Sequence, residues 1–352
     1  MKKFAVFSGF LGSGKTTTMI ALTKYYTEHF GKAAMISNDL GHGVQLADNK
    51  LAQLSGCNAS EITDDCICYV NDKLADRLDQ YYKNGCELVV SDIPGFGVGA
   101  LEHVYHGLTE KFPGSFDLAP FTVLTEPKTL ELLRSGNAGA LEYIYDTQLV
   151  EADLIVLNKC DLLSEEQRNE YLAWLEVKYP LANVIGISAL KGDGLEDLCV
   201  ALKEGSASMR KPDIGYGGES FRSAMGRMNE YYLQYVATVC CDDFDGNAYL
   251  MDIAESVRDM VKAEGHEIQH LKLLAWETEG DYGKVDLIGT GRDIEVTHRF
   301  EKPCKSIAVI LNSSAECPAD TLDHIVTETV MRNSGKYQLE LFINKKESMS
   351  MG

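Results

Sequence analysis

Eight residues near the start of the chain, Gly9-Phe-Leu-Gly-Ser-Gly-Lys-Thr16, combine three glycines with a lysine and a hydroxyl. The spacing is Gly-x-x-x-x-Gly-Lys-Thr, and its chemistry is phosphate binding. Gly9, Gly12 and Gly14 let backbone N–H groups turn inward around an anion, with Ser13 in the same turn. Lys15 brings a positive charge to the outer phosphate oxygens, and the Thr16 hydroxyl, followed by Thr17, is a ligand for Mg²⁺. A helix that starts here aims its N-terminal dipole at the same anion. An apolar strand before the motif and a helical pattern after it set it apart from a chance glycine-rich turn.

Further along, Leu88-Val-Val-Ser-Asp92-Ile-Pro-Gly95 ends an apolar strand on a carboxylate. Asp92 there can hold Mg²⁺, and Gly95 can offer its N–H to a γ-phosphate. The glycine-rich stretch that follows, 96–100, then reads as a switch segment. Asp39, in Ser37-Asn-Asp-Leu-Gly41, can reach the same metal or orient an attacking water, although Asn-Asp also simply starts turns. Lys15, Asp39, Asp92 and Gly95 are therefore the candidate catalytic residues.

Asn158-Lys159-Cys160-Asp161 follows the apolar run 154–157. The Asp161 carboxylate can accept two N–H bonds, from N1 and the 2-amino group of guanine. Adenine lacks that donor pair, so the motif selects GTP over ATP. Asn158 braces the phosphate loop and the Lys159 stem lies across the base. Ser188, Ala189 and Leu190, after the next strand, place a backbone N–H on guanine O6. GTP or GDP with Mg²⁺ are the expected ligands. No arginine finger is evident, so the expected activity is GTP hydrolysis at a low intrinsic rate.

Cys66-Ile-Cys68 lies between the two switch-like segments. Two thiols at this spacing can chelate a soft or borderline metal, Zn²⁺ or Co²⁺, but zinc usually takes four ligands. Cys57 is the best third candidate, with Asp65, Glu61 and His42 as others; the alternative is two buried structural cysteines. His266-Glu-Ile-Gln-His270 fits the zinc-protease spacing, but that chemistry needs a helix and here the pattern opens a strand. His103 and His106 read as surface residues. Cys240-Cys241 points to opposite faces of a strand.

These groups need a parallel sheet to carry them. Short apolar strands at 4–8, 33–37, 88–92, 121–125, 153–158 and 184–188 alternate with helices at 16–29, 74–84, 165–178 and 195–204, an α/β pattern. The expected domain is 1–204, and Pro127 reads as punctuation. A small, polar run at 205–220 reads as a linker. Beyond it, 221–345 alternates strands and one helix after another in the order of a smaller, ferredoxin-like α+β domain, and 346–352 reads as a frayed tail. The 352 residues carry 33 Lys and Arg against 53 Asp and Glu, a net charge of −20. That balance disfavours non-specific binding to nucleic acid or to a membrane surface. No apolar run has the length of a membrane span. A cytoplasmic protein with reduced cysteines is expected.

The chain resembles the CobW-like metal-handling P-loop GTPases, relatives of HypB and UreG. The matching pieces are Gly9–Thr17, Asn38-Asp-Leu-Gly41, Asp65-Cys-Ile-Cys68, and the run from Gln148 to Asp161. The resemblance implies a GTP-gated metallochaperone acting on a client metalloprotein or a cobalt–corrinoid system, and it is compatible with a nucleotide-dependent homodimer. The chain departs from the family's Gly-Cys-x-Cys-Cys by Asp65 and Tyr69. A GTP-controlled adaptor without metal transfer is the competing reading.

Overall fold

The computed structural model describes residues 2–38, 47–63, 65–226, 229–240 and 242–350. The chain divides into two compact units: Met1–Leu40 with Ala52–Ala224, and Gly41–Leu51 with Met225–Gly352. In chain order the first half runs β1 (Lys3–Ser8), α1 (Lys15–His29), β2 (Ala33–Asn38), α2 (Ala47–Leu54), β3 (Ala59–Ile62), α3 (Asn71–Lys83) and β4 (Leu88–Asp92). A π-helical turn, Leu101–His106, then leads into α4 (Gly107–Lys111), β5 (Asp117–Leu118), β6 (Thr122–Thr125), α5 (Pro127–Ser135) and α6 (Glu142–Glu151). The unit closes with β7 (Leu154–Leu157), α7 (Glu165–Lys178), β8 (Asn183–Gly186), α8 (Leu195–Glu204) and α9 (Glu219–Met225).

The sheet order is β3-β2-β4-β1-β6-β7-β8, with β5 beside β1, and every pairing is parallel. β1, β2, β4, β6 and β7 are buried along their whole lengths, as expected of strands covered on both faces. One face packs Ala5, Phe7, Met35, Val90, Leu124 and Val156 against Met19 and Leu22 of α1. The carboxyl ends of β1, β2, β4, β7 and β8 therefore lie on one edge, where a parallel sheet places its ligand loops.

Several helices escape the sequence pattern. Pro127 starts α5 instead of breaking the chain, because a proline tolerates the first helical turn and Glu126 caps the Thr129 N–H. α6 buries Ile144, Tyr145, Gln148, Leu149 and Glu151, so it shows no clean apolar stripe. The stretch 205–220 is no free spacer. The Gly205 carbonyl accepts from Lys3, Ala207 N–H bonds the Leu118 carbonyl, and Ser208 bonds Asp153.

In the second unit β9 (Asn229–Val239), α10 (Gly246–Ala263), β10 (Ile268–Trp276), β11 (Tyr282–Leu287), β12 (Glu295–His298), β13 (Ser306–Ala315), α11 (Ala319–Lys336) and β14 (Leu339–Ser350) form an antiparallel sheet with two helices. Its order is β12-β11-β10-β13-β9-β14. Without the β11–β12 hairpin this is β10-β13-β9-β14, the strand order of a ferredoxin-like βαββαβ layer. Leu233 and Tyr235 of β9 and Val309 and Leu311 of β13 meet Leu250 and Ile253 of α10 and Ile325 and Val326 of α11. The tail expected at 346–352 is structured as far as Ser350, because β14 stays paired with β9 to Asn229. His266 and Glu267 precede β10 and His270 lies within it, so the His-Glu-x-x-His spacing is not on a helix. Cys241 lies outside the described residues.

His270 faces Ser314 across the β10–β13 pair. Burial first, and then the Lys272 charge, depress its imidazole to about 3. The folded value is below the unfolded one of about 6.5, so the neutral ring is the one that stabilises the fold. That contribution is complete above about pH 6.5 and is lost progressively as pH falls towards 3, at up to about 1.4 kcal/mol per pH unit. A His270→Gln variant should therefore show a shallower loss of denaturant stability between pH 6 and 4 than the parent.

Candidate functional site

The loop between β1 and α1 is shaped by its glycines. Gly9, Gly12 and Gly14 all take positive φ, at 131°, 83° and 89°. A Cβ on Gly9 would lie 2.2 Å from the Leu124 carbonyl oxygen, and one on Gly14 would lie 2.3 Å from Asn158 Nδ2. Lys15 Nζ folds back over the loop to the Gly9 carbonyl at 2.5 Å. α1 has no side-chain cap and no acidic residue in its first turn, which leaves its N-terminus suited to an anion. The Ser13 hydroxyl is buried and has no partner among the described residues. A cradle of this kind fits a polyphosphate. Thr16 is half-buried and Thr17 exposed at the start of the helix.

Asn158, at the end of β7, ties three loops together. Its Nδ2 donates to the Ser13 carbonyl at 2.9 Å, and its Oδ1 accepts the Ala189 N–H at 3.1 Å. Lys159 takes a left-handed backbone, φ 61°, which turns the chain so that Cys160 N–H bonds the Ile187 carbonyl. Asp161 is exposed, and its Oδ1 accepts the Ser188 hydroxyl at 2.6 Å. That hydroxyl also accepts the Lys191 N–H, closing the turn that carries Ala189 and the exposed Leu190. The phosphate loop, Asn158–Asp161 and Ser188–Leu190 thus meet at one edge of the sheet.

Asp92 is buried at the end of β4, where its Oδ1 accepts the Asn38 N–H at 3.0 Å. Gly95 lies against the phosphate loop: a Cβ there would meet the Leu11 side chain at 2.6 Å. Asp39 and His42 lie outside the described residues. Asn38, noted in the sequence only as part of the Asn38–Gly41 motif, does more. Its Nδ2 donates to the carbonyls of Ile62 and Asp65, and its Oδ1 accepts the Ile67 N–H at 3.0 Å. One buried residue therefore holds Asp92 through its backbone and the Cys66–Cys68 loop through its side chain.

In that loop the Cys66 and Cys68 thiols share a hydrogen bond, Sγ to Sγ at 2.8 Å. The bond to Cys66 and then burial raise the Cys68 thiol well above its usual range, and Glu151 adds to the effect. Cys57 is not brought to the pair; its thiol donates to the Ile20 carbonyl on α1. The Asp65 carboxylate is occupied by the Cys66 N–H. Among the described residues no group of three or more His, Cys, Asp or Glu is placed to hold a metal, so two thiols stand without the further ligands that zinc usually takes. Tyr69, at the family's third thiol position, bonds the Tyr216 hydroxyl at 2.7 Å. His103, expected at the surface, is half-buried between these two rings, with centroids 5.9 and 5.2 Å away.

The CobW/HypB/UreG nucleotide-binding domain matches residues 3–185, more than half of the chain. The chain belongs to the CobW/HypB/UreG family. Its curated relatives include GTPase Obg 2 and GTPase Obg 1 of Anaplasma marginale (strain Florida), each 32% identical over 158 residues. That segment is 44% of this chain and 45% and 43% of theirs, so the chain spans less than half the length of these relatives. Among solved structures, HypB from Archaeoglobus fulgidus is 20% identical at a TM-score of 0.38, covering 57% of this chain and 88% of that one. HypB from Helicobacter pylori in complex with nickel gives 20% and 0.39, over 57% and 85%. Zn(II)-bound YjiA GTPase from E. coli gives 13% and 0.39, over 93% and 98%. Likenesses of this size say nothing of what this CobW/HypB/UreG member binds. Among the described residues no helix is long and apolar enough to cross a membrane.

Gly14→Ala tests the cradle. The added methyl must displace the Asn158 amide and strain a left-handed backbone. Costs of about 1–3 kcal/mol for such strain and for a lost buried hydrogen bond lead us to expect guanine-nucleotide affinity to fall by roughly 10- to 100-fold. Fluorescence titration with a labelled nucleotide, on a variant with unchanged circular dichroism, measures it.

Proposed function

We propose that the chain is a guanine-nucleotide switch that binds GTP, hydrolyses it slowly and passes its nucleotide state to the Cys66–Cys68 loop, in the service of a metal- or cobalt–corrinoid-dependent client. The observation that carries this reading is Asn38, which bonds Asp92 with its backbone and the thiol loop with its side chain. Gly9, Gly12, Ser13, Gly14, Lys15 and Thr16 would hold the phosphates. The Thr16 hydroxyl and Asp92, with Asp39 next to Asn38 in sequence, are oxygen donors of the kind Mg²⁺ takes. When bound, Mg²⁺ would neutralise charge on the outer phosphates. Asp161 would accept the N–H pair of guanine, with Ala189 at O6 and Lys159 across the ring. Gly95, packed on the phosphate loop, would sense the γ-phosphate.

Asp161→Asn tests the base assignment. Its amide can donate to a carbonyl at purine position 2 but loses the charged acceptor for the guanine N–H pair. A bond to a charged group contributes about 1.5–3 kcal/mol. GTP affinity should therefore fall by roughly 10- to 100-fold, with XTP gaining. Unchanged GTP affinity, or equal binding of ATP by the parent, would sink the assignment.

In this reading the metal is cargo, carried on two thiolates and completed by a client. A second reading is favoured by Tyr69, whose hydroxyl is engaged by Tyr216 where the family has a thiol: a GTP-controlled adaptor that docks a client without metal. Calorimetric titration with Zn²⁺ and Co²⁺, with GDP or a non-hydrolysable GTP analogue, separates the two. Carriage predicts nucleotide-dependent binding that is abolished by Cys66→Ser with Cys68→Ser. Binding that survives the double change leaves the adaptor.

A further inference from the structure

α6 turns two buried polar side chains onto the segment that follows Asp92. Gln148 Nε2 donates to the carbonyls of Gly95 at 3.0 Å and Gly97 at 2.9 Å. Three residues on, and so on the same helix face, Glu151 Oε2 accepts the Gly99 N–H at 2.8 Å. The Leu101 N–H bonds the same carboxylate. Both side chains are only 2% exposed. Four peptide groups of a seven-residue stretch are thus held by one face of one helix.

This arrangement is costly unless it serves to fix the stretch. A buried carboxylate is expensive to desolvate, and here burial lifts Glu151 to about 7 even though the two N–H groups favour its charged form. The stretch that Gln148 and Glu151 hold begins at Gly95, which packs against Leu11 of the phosphate loop. Gln148 itself lines a small cavity with Phe10, Ser13 and Thr125 behind that loop. Glu151 in turn lies close enough to Cys68 for its charge to act on the thiol.

We propose that Gln148 and Glu151 are positioning residues that hold residues 95–101 in register with the phosphate loop, making α6 the brace against which this segment changes when GTP replaces GDP. The proposal rests on the GTP reading above and adds to it the part that sets the position of Gly95. Neither side chain touches nucleotide; both act through the backbone they hold.

Gln148→Met keeps the length of the side chain and removes its donors. In the full chain, GTP turnover at saturation should fall about tenfold, the scale of a small misplacement of a catalytic loop, while GDP affinity stays within about twofold of the parent. Glu151→Leu should behave the same way, and Glu151→Gln, which keeps an acceptor oxygen, should recover most of the rate. Parent turnover in both Gln148→Met and Glu151→Leu, or equal loss of GDP and GTP affinity, overturns the proposal. Hydrogen exchange on the parent needs no variant. The amides of Gly99 and Leu101 should exchange more slowly with a GTP analogue than with GDP, and equal exchange overturns the proposal alone. A parent that binds neither nucleotide overturns the GTP reading and takes this proposal with it.

Discussion

The loops at the carboxyl edge of the parallel sheet expose peptide groups that must find partners inside the protein, because no strand or helix ladder supplies them. Three buried carboxamides meet that requirement. Asn158 joins the phosphate loop to the turn at Ala189. Asn38 joins the end of β2 to the loop at Cys66. Gln148 joins α6 to the stretch after Asp92. A carboxamide both donates and accepts, so it can serve an N–H of one loop and a carbonyl of another. Each bond contributes only about 1 kcal/mol net, but removing one leaves a buried orphan that costs about 1–3 kcal/mol. The loops are therefore held firmly in relation to each other.

Electrostatics follows from the same burial. Cys68 is kept protonated by its neighbour Cys66 and by burial, with Glu151 adding to the effect. A metal needs the thiolate, so any metal taken by this pair would have to displace the thiol proton. A rigid sheet edge joined to loops through a few side-chain bonds is the kind of construction in which a small change at the phosphate loop can reach a thiol loop. The strand core around Phe7, Val90 and Val156 is fully buried, and the loops at its edge are tied to their neighbours through Asn38, Gln148 and Glu151.

Much of the site was legible because its chemistry depends on residue type at fixed local spacing. Gly9–Thr16 needs glycines wherever φ is positive, and the structure has them there. α7 matches the helix expected at 165–178, and Ser164 and Gln167 form a capping box at its start. α5 and α6 were not. Pro127 signals a break and a helix start alike, and α6 is buried on too many sides to show a period. The extent of β14 was hidden because Asn344–Ser350 is polar, and only its pairing with β9 makes it a strand.

The sequence by itself determined the α/β fold with its second domain, and it carries the phosphate loop and the Asn158–Asp161 motif in residues adjacent along the chain. Tertiary structure alone decided which distant groups share a loop junction. Cys57 and Cys66 are nine positions apart, yet the fold turns Cys57 to α1 and Cys66 to Cys68. Asn38 and Asp92 are far apart in sequence, yet parallel pairing of β2 with β4 sets them side by side. Local spacing records what a short segment can do; only the sheet order fixes which segments meet, because hydrogen-bonded register, not distance along the chain, sets their neighbours.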